Sequence, residues 1–154
     1  MRIVYLAFLI SVWGISHSYA QDLNWRRYNL YGTATSVEIP LALFTEDAGP
    51  PENGQGRMFR SSDGLADLSV YSMRNSGEGP AEFLRTHFPL PKRAIVYRRV
   101  TGSMVTVSGY REDKIWYARC NFAVNELKCV SLNYPAREKT RWDSVVTRIS
   151  HSLS

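Results

Sequence analysis

Residues 114–135 read KIWYARCNFAVNELKCVSLNYP and contain the only two cysteines of the chain, Cys120 and Cys129. Two runs rich in β-branched and aromatic residues flank Val124 and Asn125, and an Asn can supply the positive φ that a tight turn requires. The segment therefore predicts an antiparallel hairpin. With Val124 and Asn125 as the two turn residues, Cys120 falls directly opposite Cys129. Facing β-carbons lie about 4.5 to 5.5 Å apart, which a disulfide can span after a small adjustment.

Both faces of this predicted hairpin carry large apolar side chains. The same register places Ile115 and Tyr117 on one face, and Trp116 and Phe122 on the other. A hairpin with one face in water would alternate cleanly between apolar and polar residues. We therefore expect further elements to cover each side of the sheet to which the hairpin belongs.

The start of the chain has the pattern of a secretory signal peptide. A short basic end precedes an almost wholly apolar run over 3–15, and small residues lead up to Ala20, as signal peptidase requires. We expect cleavage between Ala20 and Gln21, which removes residues 1–20 and leaves one globular domain over 21–154. The alternative is an uncleaved anchor, but the apolar run is shorter than the ~20 residues of a membrane span. No later stretch of the sequence is apolar enough for a span.

Export changes the interpretation of the cysteine pair. In an oxidising compartment an even pair is ordinarily a structural bridge, whereas in the cytosol it would suggest metal or redox chemistry. Cys120 and Cys129 do not form a CxxC redox motif and have no nearby pair of histidines for a zinc site. We therefore expect a disulfide worth about 2 to 3 kcal/mol. The sequence predicts no cofactor and no metal site.

The chain is mildly basic. Removal of Arg2 with the signal peptide leaves 18 of the 19 basic residues against 14 acidic ones, a net charge of +4. Most of the basic residues are arginines, which suit phosphate or carboxylate partners, although biased codon usage would give the same excess. Export removes most intracellular nucleic acid from the possible partners, so we expect no nucleic acid binding.

Three more hairpins are predicted from alternating strands and turn residues. Pro40 ends the first hairpin because it has no amide hydrogen for a sheet. An Asp-Gly pair at Asp63 reverses the second. The third runs into the cysteine hairpin, which makes four consecutive antiparallel strands. The strands are expected over 23–31 and 34–39, over 57–61 and 66–72, and over 95–100 and 104–110. Residues 45–56, rich in proline and glycine, are predicted to form a surface loop.

Two helices are predicted to accompany this sheet. A short one begins at Pro80, because proline is favoured in the first turn, and ends before Pro89. The longer one lies within 137–153, where Thr140 and Asp143 have the spacing of a capping box. Its apolar stripe consists of Trp142, Val145, Val146, Ile149 and Leu153. A basic amphipathic helix could lie on an anionic membrane, but packing on the domain's own sheet is favoured because the meander needs a cover.

These elements predict an α+β fold: an antiparallel meander sheet of about six to eight strands, a short middle helix and a C-terminal amphipathic helix covering the sheet. Four motifs mark the ends of the elements: VEIP at 37–40, FRSSDG at 59–64, VSG at 107–109 and YP at 134–135. Their order resembles that of small exported bacterial proteins of unknown function, and it looks like the PsbP/Mog1 type of α/β/α sandwich. The resemblance implies binding and assembly roles rather than catalysis. It transfers no site residue, because turns and strand ends specify fold rather than function.

The mature chain has no GxSxG, HExxH or SxxK motif. The predicted function is therefore a non-enzymatic binding or interaction module, periplasmic or secreted, with an anionic or acidic envelope partner. Guanidinium groups beside aromatic rings suit anionic polymers, lipid headgroups or an acidic protein. The candidate surface consists of Arg57, Arg60, Tyr71, Tyr97, Arg98 and Arg99.

A small envelope hydrolase is the competing hypothesis. Its chemistry would come from Asp63, Asp67 or His87, and these residues should then converge in one cleft. His87 lies on the predicted short helix, where a histidine is more often a packing residue than a catalytic base. A structural envelope protein that acts through oligomer contacts is the third possibility.

Overall fold

The structure is a computed structural model, and it describes residues 23–51, 55–88 and 94–154. The predicted signal peptide and its cleavage site between Ala20 and Gln21 lie outside the described residues. The elements in chain order are β1 (Trp25–Asn29), β2 (Ser36–Pro40), β3 (Phe44–Gly49), β4 (Gln55–Ser61), β5 (Asp67–Arg74), α1 (Pro80–His87), β6 (Ile95–Val100), β7 (Met104–Arg111), β8 (Lys114–Phe122), β9 (Glu126–Pro135) and α2 (Lys139–Ser152).

Seven strands form one antiparallel sheet in the order β3-β4-β5-β9-β8-β7-β6, and β1 pairs with β2 as a separate hairpin. Strands β6 to β9 are the predicted meander, and β3 to β5 form a second one. The two meanders join where β5 pairs with β9. The predicted α+β fold, with its antiparallel sheet, short middle helix and C-terminal helix, is confirmed.

The cysteine hairpin has the predicted register. Cys120 lies opposite Cys129, and Ile115 lies opposite Tyr134. The amide of Ala123 donates to the carbonyl of Glu126 at 2.9 Å and closes the turn around Val124 and Asn125. The two sulfur atoms are 2.09 Å apart, at disulfide distance. The expected positive φ at Asn125 is wrong, since Asn24 and Glu112 are the non-glycine residues with a positive φ among those described. The strand pattern and the two-residue loop are therefore sufficient to set this pairing.

Both faces of the sheet are covered, as the two apolar faces of the hairpin predict. Helix α2 and the β1–β2 hairpin pack on one face, where Ile39, Leu68 and Ile149 are buried together. Helix α1 packs on the other face through Phe83 and Leu84. Residues of β8 pack alternately into the layer on one face and the layer on the other, because successive side chains of a strand point to opposite faces of the sheet.

The end of α2 holds the β1–β2 hairpin in place. Ser36 and Ser154 exchange two backbone hydrogen bonds, of 2.8 and 3.0 Å. Arg148 donates from Nε to Glu38 Oε2 at 2.8 Å, and its guanidinium carbon lies 4.2 Å from the centre of a ring of Trp25. Hairpin and helix thus form one layer above the sheet.

The predicted surface loop over 45–56 is wrong in part, because β3 occupies Phe44–Gly49 and β4 begins at Gln55. Strand β3 is an edge strand whose pairing shifts register between Phe44 and Glu46 and again between Asp47 and Gly49. An irregular edge tolerates the polar residues and glycine that argue against a regular strand.

The capping box predicted from Thr140 and Asp143 is also wrong. Helix α2 begins at Lys139, and Glu138 precedes it without a capping hydrogen bond from its side chain. Asp143 accepts a hydrogen bond from Lys139 Nζ at 2.7 Å instead. The Asp143 carboxylate is therefore bound to Lys139, one turn earlier in the helix, and does not form a capping box.

Removing the cysteine pair should destabilise the fold by about 2 to 3 kcal/mol, because a chain without the disulfide gains more entropy on unfolding than a cross-linked one. The variant is Cys120→Ala with Cys129→Ala, and the measurement is urea unfolding followed by circular dichroism. Alanine is chosen because both positions are buried and a serine would bury an unpaired hydroxyl. Dithiothreitol should lower the stability of the wild type and leave the variant unchanged. Equal stability of the untreated wild type and the variant would show that the pair contributes nothing.

Candidate functional site

The arginines and tyrosines predicted as one surface lie towards opposite ends of the sheet. Arg57 and Arg60 are on β4, while Tyr97, Arg98 and Arg99 are on the edge strand β6. Four strands lie between β4 and β6, which separates them by roughly 24 Å at ~4.8 Å per strand. The structure brings Tyr97 and Arg99 together with other basic residues, whereas Arg98 lies on the other face of β6, and none of the three lies near the arginines of β4.

The members on β4 and β5 are placed in unrelated surroundings. Arg57 donates from Nη2 to Asp47 Oδ2 at 2.7 Å, and this bond lowers the pKa of the Asp47 carboxyl and raises the pKa of Arg57. Arg60 is exposed on the opposite face of β4. Tyr71 packs against the buried cluster below α1, and burial raises the pKa of its hydroxyl to about 12. None of these three groups faces α2 beside the β6 residues.

A groove lies between strands β6 to β8 and the second half of α2, with a volume of about 510 Å³. Three basic side chains line it, those of Arg99, Arg119 and His151, and none of the described residues that line it is acidic. We call it the basic groove. Tyr97 borders it, so the groove contains one tyrosine and one arginine of the predicted surface.

The basic groove is held in shape by hydrogen bonds that Arg119 donates. Its Nε donates to Asn121 Oδ1 at 3.0 Å, and its Nη1 donates to Ser150 Oγ at 3.3 Å. Ser150 also hydrogen-bonds the hydroxyl of Tyr117, whose pKa is raised chiefly by burial. These partners are neutral, so they orient the guanidinium without cancelling its charge. A fixed, uncancelled positive charge is suited to receiving an anion.

A second cavity of about 390 Å³ adjoins the basic groove and shares Tyr97 and Tyr117 with it. Tyr110 and Tyr134 also line this cavity. Burial raises the pKa of Tyr134 to about 12. Lys139 and Asp143 line this cavity as well, so it contains an acidic side chain and is distinct from the basic groove, although both lie beside the edge strand β6.

The residues of the hydrolase hypothesis do not converge. Asp63 accepts a hydrogen bond from Ser61 Oγ at 2.6 Å within the β4–β5 turn, and this bond lowers its pKa. Asp67 accepts from Asn133 Nδ2 at 2.8 Å on the sheet. His87 lines two cavities beside α1, and neither of them includes Asp63 or Asp67 among the described residues. Both aspartates have local structural roles in these positions.

Sequence reasoning missed Arg119 and His151, although one pattern points to the first of them. The face of β8 that packs towards α2 reads Ile115, Tyr117, Arg119 and Asn121 at alternate positions. The change from apolar to polar along one face indicates that the covering helix no longer seals the sheet there. His151 could not be placed so simply, because it lies next to the groove only once α2 has docked.

The fold and groove define an antiparallel α+β sandwich with one partly open face. Neither the family models nor the curated proteins compared with it include a match to this chain. Among solved structures, it resembles the solution structure of cyanobacterial PsbP (CyanoP) from Synechocystis sp. PCC 6803, with a TM-score of 0.58 and 12 % sequence identity. The likeness covers 84 % of this chain and 91 % of that one. The PsbP-like resemblance is thus confirmed at the level of fold.

No helix within residues 23–51, 55–88 and 94–154 is long and apolar enough to cross a membrane.

Proposed function

We propose that this chain is an exported, non-enzymatic binding module that recognises an anionic partner through the basic groove. The observation that carries the proposal is the set of Arg99, Arg119 and His151 around one groove that contains no acidic side chain among its described lining residues. Basic groups gathered without counter-charges attract anions and discriminate against cations. Arginine in particular can form paired hydrogen bonds with carboxylate or phosphate.

Export is supported by two features of the chain. The N-terminal residues 1–20 have the composition of a signal peptide with cleavage between Ala20 and Gln21. The two cysteines lie at disulfide distance, as expected for an oxidising compartment. The mature domain over 21–154 would then act in the periplasm or outside the cell, without a cofactor or nucleic acid.

The basic groove is a better anion site than the arginines of β4. Arg57 is already bound to a carboxylate, that of Asp47, and a ligand would have to displace it. Arg119 is instead oriented by neutral groups, so an incoming anion adds a counter-charge rather than exchanging one. Pre-oriented donors also lose less entropy when they bind.

Replacing Arg99 and Arg119 with glutamine should weaken anion binding about 100-fold or more, because the loss of each arginine costs about tenfold or more. Each hydrogen bond to a charged group contributes roughly 1.5 to 3 kcal/mol, and 1.4 kcal/mol corresponds to a factor of ten. The probe is fluorescein-labelled poly-L-glutamate, and the measurement is fluorescence anisotropy at about 50 and about 300 mM salt. Binding to the wild type should weaken at the higher salt because solvent-exposed charges are screened.

The matched control is Arg26→Gln with Arg60→Gln. It removes the same total charge from two exposed positions that do not line the groove. The control should bind within about twofold of the wild type, since distant surface charges contribute little. An equal loss of affinity in both double variants would show that net charge alone attracts the probe. Unfolding curves of both variants exclude a loss of fold.

A further inference from the structure

Strand β6 is an open edge of the sheet beside the basic groove. It pairs with β7 on one side, and no strand of the described residues pairs with it on the other. Its side chains are unusually exposed for a strand, with Val96 at 66 % and Tyr97 at 48 %. The outward N–H and C=O groups of such a strand are free to pair with another chain.

The two edges of the sheet differ in a way that favours docking at β6. Strand β3 has two register shifts and is followed by Pro50 and Pro51, features that block an added strand. Strand β6 has one shift, between Ile95 and Tyr97, and from Tyr97 to Val100 it pairs regularly with β7. Only the β6 edge therefore offers a regular backbone to a partner.

Charge decides which kind of strand fits this edge. Arg98 and Arg99 stand next to each other on β6, and Arg99 faces the basic groove. Two copies of β6 paired antiparallel about these residues would place arginines opposite arginines, which is destabilising. The acidic β3 of a second copy is a poor alternative, because its register is irregular and Asp47 is bound to Arg57. An acidic segment of a different chain is complementary to β6.

We propose that β6 docks an extended acidic segment of a partner protein as an added strand, whose acidic side chains enter the basic groove beside Arg99. This inference rests on the proposed function, because the same groove receives the anion. Tyr97 and Arg99 face the groove while Arg98 faces the other side. Acidic residues at every second position of the segment would therefore all lie on the face that carries the groove. Backbone pairing supplies affinity, and the alternate side chains supply selectivity.

The test uses three peptides made of four Glu-Thr repeats, added to the mature domain over 21–154. The first peptide is unmodified, the second is methylated at the backbone nitrogens of its glutamates, and the third is methylated at the backbone nitrogens of its threonines. Alternate amides of a strand point to opposite edges, so only one methylated set can face β6. We expect the unmodified peptide to bind, one methylated peptide to bind about tenfold or more weakly, and the other to bind nearly as well. Arg99→Gln should weaken binding more than Arg98→Gln.

Hydrogen exchange gives the structural readout. The amides of β6 that point outward should become protected when the unmodified peptide binds, whereas those of β3 should not change.

If all three peptides bind alike and their binding still depends on Arg99 and Arg119, the basic groove binds anions and strand addition is overturned. If no peptide binds while labelled poly-L-glutamate does, strand addition is again overturned and the proposed function stands. If neither binds, both proposals fail. Analytical ultracentrifugation shows whether the protein is a dimer that the peptide dissociates. Such a dimer would mean that β6 pairs with a second copy of this chain, and it would overturn the inference.

Discussion

Replacing Trp142 with alanine should lower the free energy of unfolding by about 3 to 5 kcal/mol, the range for removing a buried large aromatic side chain. Trp142 is only 3 % exposed and lies near the start of α2. Its ring centre is 5.4 Å from that of Tyr134 on β9 and 5.8 Å from that of Phe44 on β3. The side chain therefore ties the helix to the middle and one edge of the sheet. Urea unfolding followed by circular dichroism measures the loss.

The control for this experiment is Trp142→Phe. The indole Nε1 of Trp142 is buried and has no hydrogen-bond acceptor among the described residues. Phenylalanine keeps one aromatic ring against Tyr134 and removes the unpaired N–H together with part of the indole, so most of the stability should be retained, with a loss of roughly 1 kcal/mol. A phenylalanine variant as unstable as the alanine variant would mean that the fold depends on the part of the indole that phenylalanine lacks.

Gly109→Ala should destabilise the protein by about 3 kcal/mol or more, at the upper end of the cost of overpacking. A β-carbon at Gly109 would clash with the carbonyl oxygen of Ala94 and would lie 3.0 Å from Trp116 Nε1. The nearer atom belongs to the backbone that leads into β6, so the edge strand itself would have to move. We expect weaker binding of poly-L-glutamate as well, because Tyr97 and Arg99 move with β6.

The matched control is Gly102→Ala, in the turn between β6 and β7. A β-carbon there would meet no heavy atom within 4 Å, so its effect should stay within about 0.5 kcal/mol. Thermal unfolding of both variants is the measurement. A Gly109→Ala variant as stable as Gly102→Ala would show that β6 does not approach β7 as closely as described.

The hairpins could be predicted because each depends on residues close together in the chain. Alternation in β8 and β9, with a short turn between them, is enough to place Cys120 opposite Cys129. The stripe from Trp142 to Leu153 likewise predicts α2 and its buried face. The fold-level resemblance to PsbP rests on the same turns and strand ends, and for that reason it gives no information about ligands.

The candidate site could be predicted only in part, because it depends on the order of strands in the sheet. The pairing of β5 with β9 joins distant parts of the chain, and it places β4 and β6 towards opposite ends of the strand order. Strand positions alone could not show that Arg57 and Arg99 are far apart. Strand β3 was missed for a different reason, since an irregular edge strand lacks the alternation from which strands are predicted.

The most direct test of the proposed function is the mapping of amide chemical shifts in isotope-labelled protein titrated with poly-L-glutamate. We expect the shifted amides to cluster in β6, in β8 around Arg119 and in the last turns of α2 around His151, and we expect Arg99→Gln with Arg119→Gln to abolish the shifts. Shifts centred on β4 around Arg57 and Arg60, or spread evenly over the exposed arginines, would contradict the basic groove as the binding site.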